Sequence, residues 1–103
     1  MKQYTTPEQT AQLIELGFKK PKGYAEGKCY SDIYPAYSIG ELIEMLPKVI
    51  DCDYDAYNLQ IEAGSNWKVC YVENGMIEDD CDSYELIDAI YDMILKLKEE
   101  KII

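Results

Sequence analysis

Apolar residues recur at helical spacing in three stretches of the chain and alternate with polar ones in a fourth. The longest periodic stretch is the last, about residues 83–101. There Leu86, Ile87, Ile90, Met93, Ile94 and Leu97 form one broad stripe, the pattern of an amphipathic helix with one face buried. Asp82 and Glu85 stand three apart, as in a capping box, so the pattern predicts a helix start with Asp82 at the N-cap. Lys96, Lys98 and Lys101 crowd the other end, where the carbonyl pole favours cations, and Asp92 and Lys96 are spaced for an exposed pair.

A first helix is expected over about residues 7–16. Thr6 caps it, Pro7 occupies its first position, and Gln9 closes the box. Gly17 supplies the left-handed residue that ends it, with Phe18 folding back on Leu13. A second helix is expected over about 39–46. Ser38 and Glu41 form its capping box, and Leu42, Ile43, Leu46 and Val49 face inward. Pro47 stops it, and Lys48–Ile50 reads as a looser turn. The alternating stretch follows. Tyr57–Ala63 and Trp67–Glu73 read as two strands joined by the turn Gly64–Asn66, a hairpin over about 57–73, and Met76-Ile77 can add a short third strand.

Residues 19–37 keep neither period. Pro21, Gly23, Gly27 and Pro35 interrupt them, so they read as a long surface loop with one short strand near Cys29–Ile33. The expected order is helix, loop, helix, two strands, helix. This is an α+β fold in which a small antiparallel sheet, a central β-hairpin, packs against three helices within a single domain spanning residues 1–103.

Composition narrows the functions open to this pattern. The chain has 103 residues, twenty acids, ten lysines, no arginine and no histidine, for a net charge of −10. A nucleic-acid binder needs a basic face to neutralise phosphates, so none is expected here. An anionic membrane surface is disfavoured for the same reason. Without histidine there is no Ser-His-Asp or Cys-His nucleophile, and without arginine no guanidinium clamp on a phosphate. No catalytic motif, cofactor loop or nucleophile elbow is present, and the expectation is a non-enzymatic protein without a cofactor. No apolar run follows Met1, as a signal peptide would need, and no stretch has the length of a membrane helix. A cytoplasmic location is the expectation, with Cys29, Cys52, Cys70 and Cys81 reduced.

Two groups of residues stand out as candidates for contact with something else. The first is a pair of acidic stretches, Asp51–Asp55 and Glu78–Asp82, one preceding the hairpin and one following it. Neighbouring hairpin ends would bring both to one end of the molecule, with Asp51, Asp53, Asp55, Asp79 and Asp80 as candidate ligands of a divalent cation or a small ligand. Asp51, Asp53, Asp55 and Glu62 also match positions of a calcium loop, although Ala56 stands where that loop needs glycine. The bland alternative is a solvated acidic edge. The second group is Tyr24, Tyr30, Tyr34 and Tyr37 beside Lys19, Lys20, Lys22 and Lys28, a composition suited to contact with a protein partner or with a second copy. Its alternative is a set of rings that pin the loop to the domain.

The runs Thr6–Phe18, Tyr37–Lys48 and Glu85–Lys98, with their caps and core stripes, resemble small cytoplasmic proteins of gut Bacteroidetes and of their phages or mobile elements. That group has no assigned activity, so no functional residue carries over. The resemblance implies a bacterial accessory protein.

Overall fold

The computed structural model describes residues 2–26, 33–52, 55–73 and 76–103. In chain order the elements are α1 (Pro7–Glu15), β1 (Gly23–Glu26), β2 (Ile33–Ala36), α2 (Ile39–Met45), β3 (Val49–Cys52), β4 (Asp55–Glu62), β5 (Trp67–Glu73), β6 (Met76–Ser83) and α3 (Leu86–Glu99). The class is α+β with three helices, as expected, but there are two antiparallel sheets rather than one. A hairpin, β1–β2, stands apart from a four-stranded meander in the order β3-β4-β5-β6.

The helix signals in the sequence are physically realised. Thr6 Oγ1 accepts from the Gln9 N–H while Gln9 Oε1 accepts from the Thr6 N–H, and Ser38 and Glu41 repeat the arrangement on α2. Gly17 takes φ +100°, and the Phe18 N–H reaches the Leu13 carbonyl at 3.2 Å while the Gly17 N–H reaches Ile14 at 3.0 Å. That is the Schellman closure, with Phe18 packing on the core. Pro47 ends α2 at Met45, with Leu46 already extended.

Three expectations fail. Val49 and Ile50 are not a loose turn: they open β3, which pairs Ile50 with Tyr57 and leaves Val49 exposed on the outer side. The stretch 19–37, expected to be a loop with one short strand near Cys29–Ile33, contains β1 and β2; of that expected strand Cys29–Asp32 lies outside the described residues and Ile33 opens β2. The last helix begins at Leu86 rather than Ser83, because Ser83 and Asp82 are held in β6 opposite Trp67 and Lys68. The strand ladder takes the residues that the capping box would need, and Glu85 becomes an N-cap without a side-chain cap bond. Its carboxylate instead accepts from the Lys2 N–H at 2.8 Å.

α3 packs on β5 and β6 and covers one face of the meander, and α2 packs against α3. Ile50, Tyr57, Val69 and Tyr71 point into that layer and meet Leu42, Ile87, Ile90, Met93, Ile94 and Leu97 in one buried cluster. A bulge at Tyr71/Val72 shifts the register of β6, so Ile77 pairs with Val72 while Asp79 pairs with Tyr71. Ile77 and Asp79, two apart, therefore lie on opposite faces, with Asp79 turned under α3. No helix among the described residues is long and apolar enough to cross a membrane.

Candidate interaction surface

The β1–β2 hairpin is built with one face for the molecule and one for solvent. Gly23 pairs with Ala36, Tyr24 with Pro35, Ala25 with Tyr34 and Glu26 with Ile33. Strand alternation puts Gly23, Ala25, Tyr34 and Ala36 on one side. These are mostly small, so the ribbon lies close to the body, and Ala25 and Ala36 are buried. Pro35 is tolerated because both strands of a two-stranded ribbon are edges, where a missing N–H leaves no gap in a ladder.

A hydrogen-bond chain anchors this inner side. The Tyr37 N–H donates to Thr5 Oγ1 at 3.0 Å, and Thr5 Oγ1 and Thr10 Oγ1 lie 2.7 Å apart. The Thr10 hydroxyl donates onward to the Thr6 carbonyl at 2.8 Å, which leaves Thr5 as the donor to Thr10. The Thr5 N–H returns a bond to the Tyr37 carbonyl at 3.0 Å, and Tyr34 Oη donates to the Thr5 carbonyl at 3.1 Å. Thr5 is fully buried and serves as the pin between the N-terminal segment, α1 and the hairpin. No pattern in the sequence marks it beyond its place before a helix cap.

The four tyrosines therefore part company. Tyr37 is 1% exposed and belongs to the core, with its hydroxyl bonded to the Lys19 carbonyl. Burial, and then the charge of Glu41, raises its pKa. Tyr34 is half-buried and pins the hairpin. Tyr30 lies outside the described residues. Tyr24 alone of the described three points outward, 66% exposed, beside Pro35 and one strand position from Ile33, itself 63% exposed. Ile33 and Pro35 were not singled out by sequence, because a stretch read as a loop has no faces.

The lysines beside the tyrosines also find a place. Lys19, Lys20 and Lys22 line a cleft of about 410 Å³ together with Phe18, Met45 and Glu44. Lys22 immediately precedes β1, and its N–H donates to Glu41 Oε2 at 3.1 Å. Cleft and hairpin are thus continuous along the chain.

The acidic stretches are not brought together. β3 and β6 are the two edges of the meander, so Asp51 and Asp80 lie three strand spacings apart, about 14 Å across the sheet. Asp51 is exposed on β3, and Asp55 opens β4 opposite Cys52. Asp79 is buried against Lys96, while Asp80 is exposed and lies 3.9 Å from Lys68. Asp53 lies outside the described residues. A calcium loop is also ruled out by geometry, since Asp55 and Glu62 are the two ends of one strand, about 23 Å apart. Among the described residues no three acids or thiols are placed to hold a metal ion.

The thiols are quiet. Cys70 is buried with its Sγ–H directed at the Gln60 carbonyl, and burial, then Glu62 and Asp80, raise its pKa against the opposing pull of Lys68. Burial raises Cys81 too, helped by Asp92, Asp80 and Asp79 and opposed by Lys96. Cys52 and Cys81 sit on opposite edge strands, far beyond the ~7 Å that a disulfide spans between Cα atoms.

Compared with protein-family models, with curated proteins and with solved structures, the chain matches none.

Proposed function

We propose that this is a small acidic accessory protein that works by protein–protein contact, without a reaction of its own. Its contact surface is the outer side of the β1–β2 hairpin together with the lysine-lined cleft beside it. The observation that carries the reading is the placing of Tyr24, Ile33 and Pro35 side by side on a face open to solvent. An anchored ribbon that still presents large apolar groups is the form of an interaction site rather than of a packing defect. The residue inventory supports the non-enzymatic half of the reading, since histidine and arginine are missing from the whole chain.

The test is affinity capture with the tagged protein from its source cell, at moderate salt, in parallel with sedimentation of the purified chain. A stoichiometric companion, or a dimer, that is lost on Tyr24→Ala with Ile33→Ser supports the surface. Retention of that companion by the double variant overturns it.

A further inference from the structure

We propose that the uncovered face of the four-stranded meander is a second docking site, and that its occupant is a basic amphipathic helix of a partner protein. Helices cover one face of this sheet, and the other lies open. The register lays out its surface in rows. The row at one end is Val49–Asn58–Val72–Ile77, one residue from each strand. Val49 and Ile77, at its two ends, are 46% and 49% exposed. The next rows are Gln60–Cys70–Asp80 and Glu62–Lys68–Asp82. Cys70, at the centre, is sealed by its neighbours, so the face is continuous.

The chemistry of the face selects its partner. Among the described residues it presents the carboxylates of Asp51, Glu62, Asp80 and Asp82 against the one ammonium of Lys68, which is already 3.9 Å from Asp80. A nucleic acid or a second copy of this face would set like charge against like charge. A bare cation finds no three converging ligands among the described residues. What fits is a positively charged surface that also carries an apolar stripe, to lie on Val49, Val72 and Ile77. A helix satisfies both demands. Laid across the strands on that row, such a helix has Asp51 on one flank and Asp80, with Asp82 beyond it, on the other, so basic residues on its two sides meet carboxylates while its apolar stripe meets the valines and Ile77. The net charge of −10 steers such a partner inward from a distance.

The test uses a synthetic helical peptide of leucine and lysine, about 18 residues long, with a fluorescent label. Anisotropy is followed against the full chain at ~0.15 M salt. Asp80→Lys with Asp82→Lys is compared with a control of equal charge change, Glu15→Lys with Glu99→Lys, at exposed positions of α1 and α3. The sheet variant is expected to weaken binding about tenfold or more, while the control changes it by no more than about threefold. Ile77→Asn alone weakens binding, and amide shifts on titration fall on β4, β5 and β6. Should the charge reversal fail to fold, Asp80→Asn with Asp82→Asn is compared with Glu15→Gln with Glu99→Gln, again at equal charge change. Equal weakening by the sheet and control variants would reduce the effect to overall charge and overturn the proposal. So would shifts confined to the hairpin or the helices, or no binding by the parent chain. Tyr24→Ala leaves this binding unchanged, which separates it from the hairpin surface.

Discussion

Lys96 reaches from α3 to Asp79 on β6, and its Nζ lies 3.2 Å from Oδ1 of a carboxylate on a side chain that is only 10% exposed. The two were not paired by sequence spacing, which matches Lys96 with Asp92 four residues earlier on the same helix. The bulge at Tyr71/Val72 decides otherwise, because it turns Asp79 inward, beneath α3. Burial works against the Lys96 charge, but the hydrogen bond and charge of Asp79 outweigh it and hold the ammonium pKa above its ordinary value. Replacing Lys96 by methionine leaves the Asp79 carboxylate under the helix without its counter-charge. A loss of about 1–3 kcal/mol in urea-melt stability is expected, and the double change Lys96→Met with Asp79→Leu recovers most of it. Equal losses in the single and double variants would show that the pair is not the relevant unit.

The pin at Thr5 is open to a direct trial. Thr5→Val keeps the shape but removes both the acceptor for the Tyr37 N–H and the donor to Thr10. The expected cost is about 1–3 kcal/mol, with faster amide exchange at Tyr37. Thr5→Ser retains the hydroxyl and loses less.

Stability in acid should depend on Asp88. Its Oδ1 accepts from Lys2 Nζ at 2.7 Å and from Gln9 Nε2 at 2.8 Å, clasping the N-terminus and α1 to α3. Burial alone would raise the Asp88 pKa, but these two bonds and the Lys2 charge carry it below the ordinary value of 3.8. Its contribution is therefore complete above pH 3.8 and is lost as the pH falls through the lower folded-state value. Melts of Asp88→Asn across this range are expected to fall less steeply with acid than those of the parent.

At the alkaline end the same reasoning reverses. Tyr71 donates to the Pro47 carbonyl at 2.7 Å, and burial, then the charge of Asp79, pushes its pKa from 10.0 up to about 12. The neutral phenol stabilises the fold fully below pH 10.0, and that support is lost as the pH rises toward about 12. Phenolate absorbance should show a late-ionising step together with unfolding, to which Tyr37 and Tyr91, also raised by burial, contribute, and Tyr71→Phe should diminish that step near pH 12.

The C-terminal end of α3 offers a gain. Lys101 sits at φ +61°, the Ile102 N–H reaches the Leu97 carbonyl at 2.9 Å, and the Lys101 N–H reaches Lys98 at 3.1 Å. This is the closure that Gly17 makes at α1, performed by a residue with a Cβ in the left-handed region. Lys101→Gly is expected to raise stability by about 1 kcal/mol, read as a higher urea midpoint.

What the sequence revealed and what it hid follow from how locally each element is specified. α1, α2 and the β4–β5 hairpin are written in neighbouring residues: Thr6 with Gln9, Ser38 with Glu41, Gly17, Pro47, and the alternation through Leu59 and Ile61. β6 is not. Its segment Met76–Ser83 carries four acids in a row of five (Glu78, Asp79, Asp80, Asp82 around Cys81), a poor strand composition. It is a strand because β5 offers a partner and Lys96 a counter-charge. That pairing also withdrew Asp82 from the helix start expected of it. In the hairpin the same residue type took opposite roles, Tyr24 outward and Tyr34 inward, and only the register with Pro35 and Ala25 distinguishes them. Asp51 and the stretch Asp79–Asp82 do not converge because β3 and β6 hold them at opposite rims of the meander.

Those rims bear on how the protein behaves in a crowded solution. A four-stranded sheet with two free edges is a template for ladder growth, copy upon copy, into fibres. Here one rim is four residues long, and the other carries Asp80 and Asp82, so repulsion between approaching copies keeps the ladder from extending. The safeguard is electrical and therefore conditional. Near the isoelectric point of 4.3 the repulsion vanishes while the backbone template remains. Mild acidification, more than heating at neutral pH, is the condition in which this chain would pass from solution into an ordered aggregate.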